Sequence, residues 1–414
     1  MNIKNNQIKN IFLPIGILLS IIGVSLGGII KVLFNTNFSW ISTLISALSI
    51  LLMIDLKRVM SIRYQRPTAD VWAIFCYSFV TLLLALVNNR YDSGPYSVIN
   101  QLVYFIQIIL LWDRKKDINT DTFQKVSLWI MLIFEILSFW LIMKNRALTG
   151  GLAFNYLLAN TETTVGVSRV TFAAVGFTGF IAGLSYKANV QYDRIAKYLC
   201  MGIGIAVLGI AARRSVFIAV GLAVILHIRN NGAKGTSFNK KRMGTLIIGS
   251  AILLFVLYHM YSTNAAVQEM TNRAINSLVR GMQTYLGINK ADLAAGMRRE
   301  NIDTIPWEYF NNSTLCQFLF GRGYMAKWLD IPFMQAFWDL GLVGGIFYLW
   351  IMGAVPIMHI LRKSEEGAVM FAQYNLGMSF VECFANGAPY GRFFALVLLL
   401  VFEAKEKDNA STIN

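Results

Sequence analysis

A chain of 414 residues that is 56% hydrophobic and only 14% charged does not read as the two or three soluble domains expected for that length in water. The formal charge of +15 would suit nucleic acid in a soluble protein; in a membrane chain its location matters more than its sum, and no nucleic-acid partner is expected. Four cysteines (Cys76, Cys200, Cys316, Cys383) without short paired spacing, and no Cys/His cluster, point to neither a disulfide framework nor a zinc site.

Apolar runs of about 17–20 residues, the length that crosses a ~30 Å hydrocarbon core as a helix, recur along the whole chain. They fall at roughly 11–30, 38–54, 71–87, 97–112, 126–143, 170–186, 198–212, 215–228, 244–261, 341–360, 368–384 and 388–403. The expected fold is therefore all-α, a single polytopic membrane domain over 1–414 with about twelve transmembrane helices. The first run lacks an A-x-A cleavage site and reads as a retained helix. With the N-terminus inside, 22 of the 37 Lys and Arg residues fall in the inner connections, including DLKRVMSIRYQR and NGAKGTSFNKKR. That bias sets both termini, and the polar tail 404–414, on the cytoplasmic side. Two outer segments, 144–169 and 262–340, are too long for simple turns, and loops of that length usually carry function. The second contains helix-compatible pieces such as NRAINSLVRGMQTYL.

Within the run Tyr198–Ile228, Arg213 and Arg214 stand side by side. Thirty-one residues make about 46 Å of helix, too long for one ordinary crossing. Two helices meeting at the arginines near the outer face satisfy the count. Charges at that depth cost at least a few kcal/mol unless paired or wetted. Snorkelling to headgroups is one explanation; an anion site in a wet cavity is the favoured one, because the planar guanidinium fork binds phosphate oxygens bidentately. Arg169, Arg392, Arg273, Arg280, Arg298, Arg299 and Arg322 lie on the same side and could join it.

The stretch AARRSVFIAV resembles the Ser/Arg helix pair of bacterial O-antigen polymerases (Wzy) and of the related O-antigen ligases. MRRENIDTIPWEYF resembles their Arg-x-x-x-x-Trp pattern. FGRGYMAKWLDIPFMQAFWDLGLVGGIFYL resembles the block in which a Gly-x-Gly precedes His or Asp, an aromatic-Met-Gln step and a glycine-rich helix start. The similarity spans about residues 165–350. It implies a class C glycosyltransferase-like fold in the bacterial inner membrane, with 144–169 and 262–340 as periplasmic loops. It also implies a polymerase that transfers a growing undecaprenyl-diphosphate-linked glycan onto a lipid-linked repeat unit, with membrane lipid and a polysaccharide chain-length regulator as partners. Arg213, Arg214 and Arg298 or Arg299 would hold the diphosphate. Ligases carry histidine where this chain has Asp330, which weakens the alternative reading as a ligase; a flippase for the same lipid-linked sugar is a third.

Breaking an anomeric C–O bond builds charge on the leaving phosphate, which fixed cations stabilise. Outer carboxylates are scattered and no D-x-D occurs, so a metal-independent, inverting transfer without cofactor is expected. Asp330 is the favoured base, with Asp339, Glu300, Asp303, Glu308 and Glu162 as others. Arg169 and Arg322 are expected to touch substrate; Trp307 and Tyr324 could stack on sugar, as could Tyr309, Trp328 and Trp338. Glu135, in mid-membrane, reads equally as an interhelix hydrogen bond or a site group. His227, His259 and His359 lie at helix ends and are expected to pack at the interface.

Overall fold

A computed structural model describes residues 2–34, 36, 40–61, 65–87, 95–148, 169–211, 213–231, 293–384 and 389–411, with scattered positions between 259 and 288. The described residues are helical almost throughout: α1 (Asn2–Leu33), α2 (Ile41–Met53), α3 (Leu56–Ser61), α4 (Ala69–Val87), α5 (Pro95–Asp113), α6 (Thr120–Leu148), α7 (Arg169–Ser185), α8 (Gln191–Ala211) and α9 (Arg214–Asn231) come first. After them come α10 (Leu293–Asn312), α11 (Leu315–Phe320), α12 (Pro332–Leu349), a π-turn (Trp350–Ala354), α13 (Val355–Ile360), α14 (Gly367–Glu382) and α15 (Phe393–Ser411).

Among the described residues, five helical stretches are long and apolar enough to cross a membrane: Ile11–Leu33, Ala69–Val87, Thr120–Lys144, Gln191–Ala211 and Pro332–Ile360. Ile41–Met53, Val98–Asp113 and Val170–Ser185 are shorter apolar helices. The apolar side chains that these helices leave exposed, among them Trp72, Ile133, Ile136, Leu199 and Ile205, form the kind of outward surface that suits lipid rather than water. The chain is an all-α membrane protein. The ninth apolar run, 244–261, lies outside the described residues except for His259, as does most of the 144–169 segment.

At the centre stands α14, whose residues from Gly367 to Met378 are all buried, as expected of a helix that is apolar all round and packed on every side. It packs against α7, α9 and α15. The pair α7 and α8 approaches closely, because a side chain at Gly176 or Gly183 would press on the Gly204 or Lys197 carbonyl of the facing helix.

Polar contacts sort the connections into two ends. At one end Arg58 pairs with Asp117 at 2.8 Å, and Arg229 donates to the Ile360 carbonyl at 3.2 Å. There too His359 pairs with Glu403 at 2.8 Å, and Lys405 donates to the Lys116 carbonyl at 2.7 Å. The same end holds a cleft of about 890 Å³ between α1, α6 and α14. At the opposite end the α8–α9 break meets α10 and the segments after α11 and α14.

The long segment from α10 into α12 has its own small core of Ile305, Tyr309, Leu329 and Trp338. Thr314 caps α11 through a reciprocal capping box with Gln317. The tenth apolar run was expected to begin as a helix at Gly341. Instead α12 starts at Pro332 and bends at Gly341, whose φ of 70° is left-handed. Proline suits a first helical turn, and a Cβ at Gly341 would strike the Leu319 backbone, so only glycine admits this crossing.

Candidate functional site: an arginine cluster at the α8–α9 break

Tyr198–Ile228 forms two helices: α8 ends at Ala211 and α9 begins at Arg214. Arg213 sits in the break with its side chain 12% exposed, and its Nη2 lies 3.0 Å from Glu382 Oε1. Glu382 is the last residue of α14, and its other oxygen accepts from Arg392 Nη1 at 2.6 Å. One carboxylate therefore bridges guanidiniums from two chain segments.

A second pair stands beside it. Arg298, on α10, directs both Nε (2.9 Å) and Nη2 (2.6 Å) to Asp330 Oδ2. The charges of Arg298, Arg392, Asp330 and Glu382 all act on Arg213. The described cluster thus holds three guanidiniums against two carboxylates. Despite its short contact with Glu382, neither terminal nitrogen of Arg213 makes a hydrogen bond of normal geometry among the described residues, and both are buried. Buried donors left unsatisfied are costly, so such a group calls for an acceptor.

The loop that carries Asp330 is built around Asp339. This fully buried carboxylate accepts from Tyr390 Oη (2.7 Å), Gln335 Nε2 (2.8 Å), Met325 N (3.0 Å) and Ala326 N (3.2 Å). Gln335 accepts in turn from Leu329 N at 2.8 Å, and Gly323 N donates to the Asp339 carbonyl at 3.0 Å. Asp339 is thereby removed from the candidate bases: its oxygens are committed to holding the turn. Met325 and Asp330 adopt φ of 52° and 56°, a region uncommon outside glycine. The network around Asp339 holds both, and so presents Asp330 to Arg298.

Of the residues expected from sequence, Arg213, Arg298, Arg392 and Asp330 come together. Arg214 points elsewhere, its guanidinium lying against Gly281. Arg299 lies against Gly287, with Asp303 3.7 Å away. Arg322 stacks 4.0 Å over the Trp338 ring and donates to Ser313 at 3.1 Å. Tyr324 is 3% exposed, accepts from Gln101 at 3.0 Å and packs on Tyr390; its ring is not presented to a sugar. Tyr309 and Trp338 are likewise core residues, whereas Trp307 is 71% exposed. The side chain of Arg169, together with Glu162 and Arg273, lies outside the described residues. Glu308 pairs with Lys327 at 3.2 Å.

Glu135 is fully buried against Gly179 and Gly204, with the Cys200 thiol as its polar neighbour. It contacts the α7–α8 pair rather than the arginine cluster. His227 meets Tyr374 at 3.0 Å and His359 meets Glu403, in keeping with packing roles. Among the described residues no group of three or more His, Cys, Asp or Glu side chains could hold a metal ion.

Glu382 is the site residue that sequence reasoning missed. The signal was present: an acid in the last turn of an apolar run is a functional suspect. Compared with family models, characterised proteins and solved structures, the chain finds no match.

Proposed function

We propose that this protein is a membrane glycosyltransferase of the O-antigen polymerase kind. It transfers a growing undecaprenyl-diphosphate-linked glycan onto a lipid-linked repeat unit at the periplasmic face of the bacterial inner membrane, through a fold of about twelve transmembrane helices. The observation that carries the reading is the buried Arg213, whose terminal nitrogens are unsatisfied among the described residues, in a cluster whose described cations outnumber its described carboxylates. A phosphate oxygen supplies the acceptor that those nitrogens lack, and the guanidinium fork suits it.

In this reading the diphosphate of the donor lies against Arg213, with Arg298 and Arg392 close enough to act on the same charge. Charge accumulates on the leaving phosphate as the anomeric C–O bond breaks. Cations fixed in a site of low polarisability lower that barrier more than they would in water. The acceptor hydroxyl attacks from the opposite face, inverting the anomeric centre. Asp330 takes its proton, and Arg298 on the same carboxylate orients it.

The test is purified protein in proteoliposomes with a lipid-linked repeat unit, products resolved on a gel. A ladder is expected from the native chain. Arg213→Lys keeps the charge and loses the fork, and should slow laddering by ~10²-fold, the scale of losing one transition-state donor. Arg280→Ala serves as the control within a few-fold. A ladder of normal rate from both Arg213→Lys and Arg213→Ala would overturn the reading. Single transfers to a lipid A core, with no ladder, would replace it by the ligase reaction.

A further inference from the structure

Glu382 has both oxygens engaged, Oε1 3.0 Å from Arg213 and Oε2 2.6 Å from Arg392, and its side chain is only 14% exposed. It is also the last residue of α14, where the carbonyl end of the helix dipole disfavours an anion. Nothing local accounts for a carboxylate there; the two guanidiniums do. We infer that Glu382 is an internal stand-in for the ligand's phosphate, neutralising the buried arginines while the site is empty and yielding them when a phosphate group enters.

The inference rests on the anion-site reading above and deepens it. Two observations separate a stand-in from a permanent support. The contact with Arg213 is close but lacks hydrogen-bond geometry, so among the described residues both terminal nitrogens of Arg213 stay unsatisfied with Glu382 in place; a support would be expected to satisfy them. Moreover, a phosphate taking those nitrogens would sit within a few ångströms of the Glu382 carboxylate, and like charges that close repel strongly away from bulk water. The ligand therefore binds at the expense of the carboxylate. Withdrawing the Glu382 charge from the buried Arg213 with nothing in its place would be costly, which is why an internal anion stands there until the ligand's replaces it. Ligand selectivity follows: a singly charged anion offers no more than Glu382 already supplies, whereas a diphosphate carries more charge and more acceptor oxygens than the group it displaces.

Inorganic pyrophosphate is the probe, titrated calorimetrically into the full chain in detergent. Glu382→Gln removes the competing charge at constant shape and should tighten pyrophosphate binding about 10-fold or more. Glu382→Asp, whose shorter arm cannot bridge both arginines, should tighten it about 3-fold and decides the matter if Glu382→Gln fails to fold. Arg213→Gln should abolish binding in either background. Weaker or unchanged binding in the Glu382 variants, with Arg213→Gln still abolishing it, makes Glu382 a support and overturns the stand-in. Binding that survives Arg213→Gln, or no binding by the native chain and both Glu382 variants, overturns the anion site itself.

Discussion

Replacing Asp339 by alanine tests whether this carboxylate holds the loop that presents Asp330. Four donors converge on it, two of them the backbone N–H groups of Met325 and Ala326. Tyr390 and Gln335 can rotate toward other acceptors. The backbone groups cannot, and each stranded buried donor costs about 1–3 kcal/mol. The backbone pair alone sets the loss at roughly 2–6 kcal/mol, a large share of the ~5–15 kcal/mol that typically separates folded from unfolded chains. Asp339→Asn should fare little better, since its amide places an NH₂ among donors. The loop carries Arg322 and Lys327, so trypsin reports its opening. A loss of about 4 kcal/mol raises the open population ~10³-fold, and cleavage under rapid reclosing rises with it. The thermal midpoint in detergent should fall by roughly 5–10 °C. Asp303→Ala is the control: that carboxylate is 65% exposed and 3.7 Å from Arg299, a contact worth under ~1 kcal/mol. Native cleavage rates and an unshifted midpoint for Asp339→Ala would refute the assignment of Asp339 as the keystone of this loop.

A reporter fused after Asn289 should be active only outside the cytoplasm and one after Gly235 only inside; reversed signals would put the arginine cluster on the wrong face for this chemistry. Gly341→Ala should abolish accumulation or laddering, because the added Cβ meets the Leu319 backbone at a φ of 70°; normal accumulation and activity would show that the bend in α12 is not needed.

What the sequence made legible was set by how far each signal reaches along the chain. Apolar runs are local, and so the described apolar helices and the break between α8 and α9 could be read from hydropathy and length alone. The start of α12 could not. PFMQAFWDL carries Gln335 and Asp339, which a hydropathy reading treats as loop residues. They sit in a buried helix only because they bond to each other and to the turn before it, and that partnership is invisible until the turn is folded. The same limit divides the arginines. Adjacent helical residues point ~100° apart, so Arg213 and Arg214 could not both serve one ligand, yet only the fold shows Arg213 at Glu382 and Arg214 at Gly281.

Charge out of place proved the more durable clue, for a physical reason. An arginine in an apolar run is tolerated only where something offsets its desolvation, so its presence announces a partner without naming it. Arg213 announced one, and the fold supplies Glu382, itself an acid in an apolar run under the same constraint. The two anomalies explain each other in charge, but not in hydrogen bonding, since the terminal nitrogens of Arg213 remain unsatisfied. A partnership settled within the protein would be expected to close that account as well. The part left open is a pair of buried N–H donors, the chemistry an oxyanion would satisfy, and the proposed phosphate site stands on that pair.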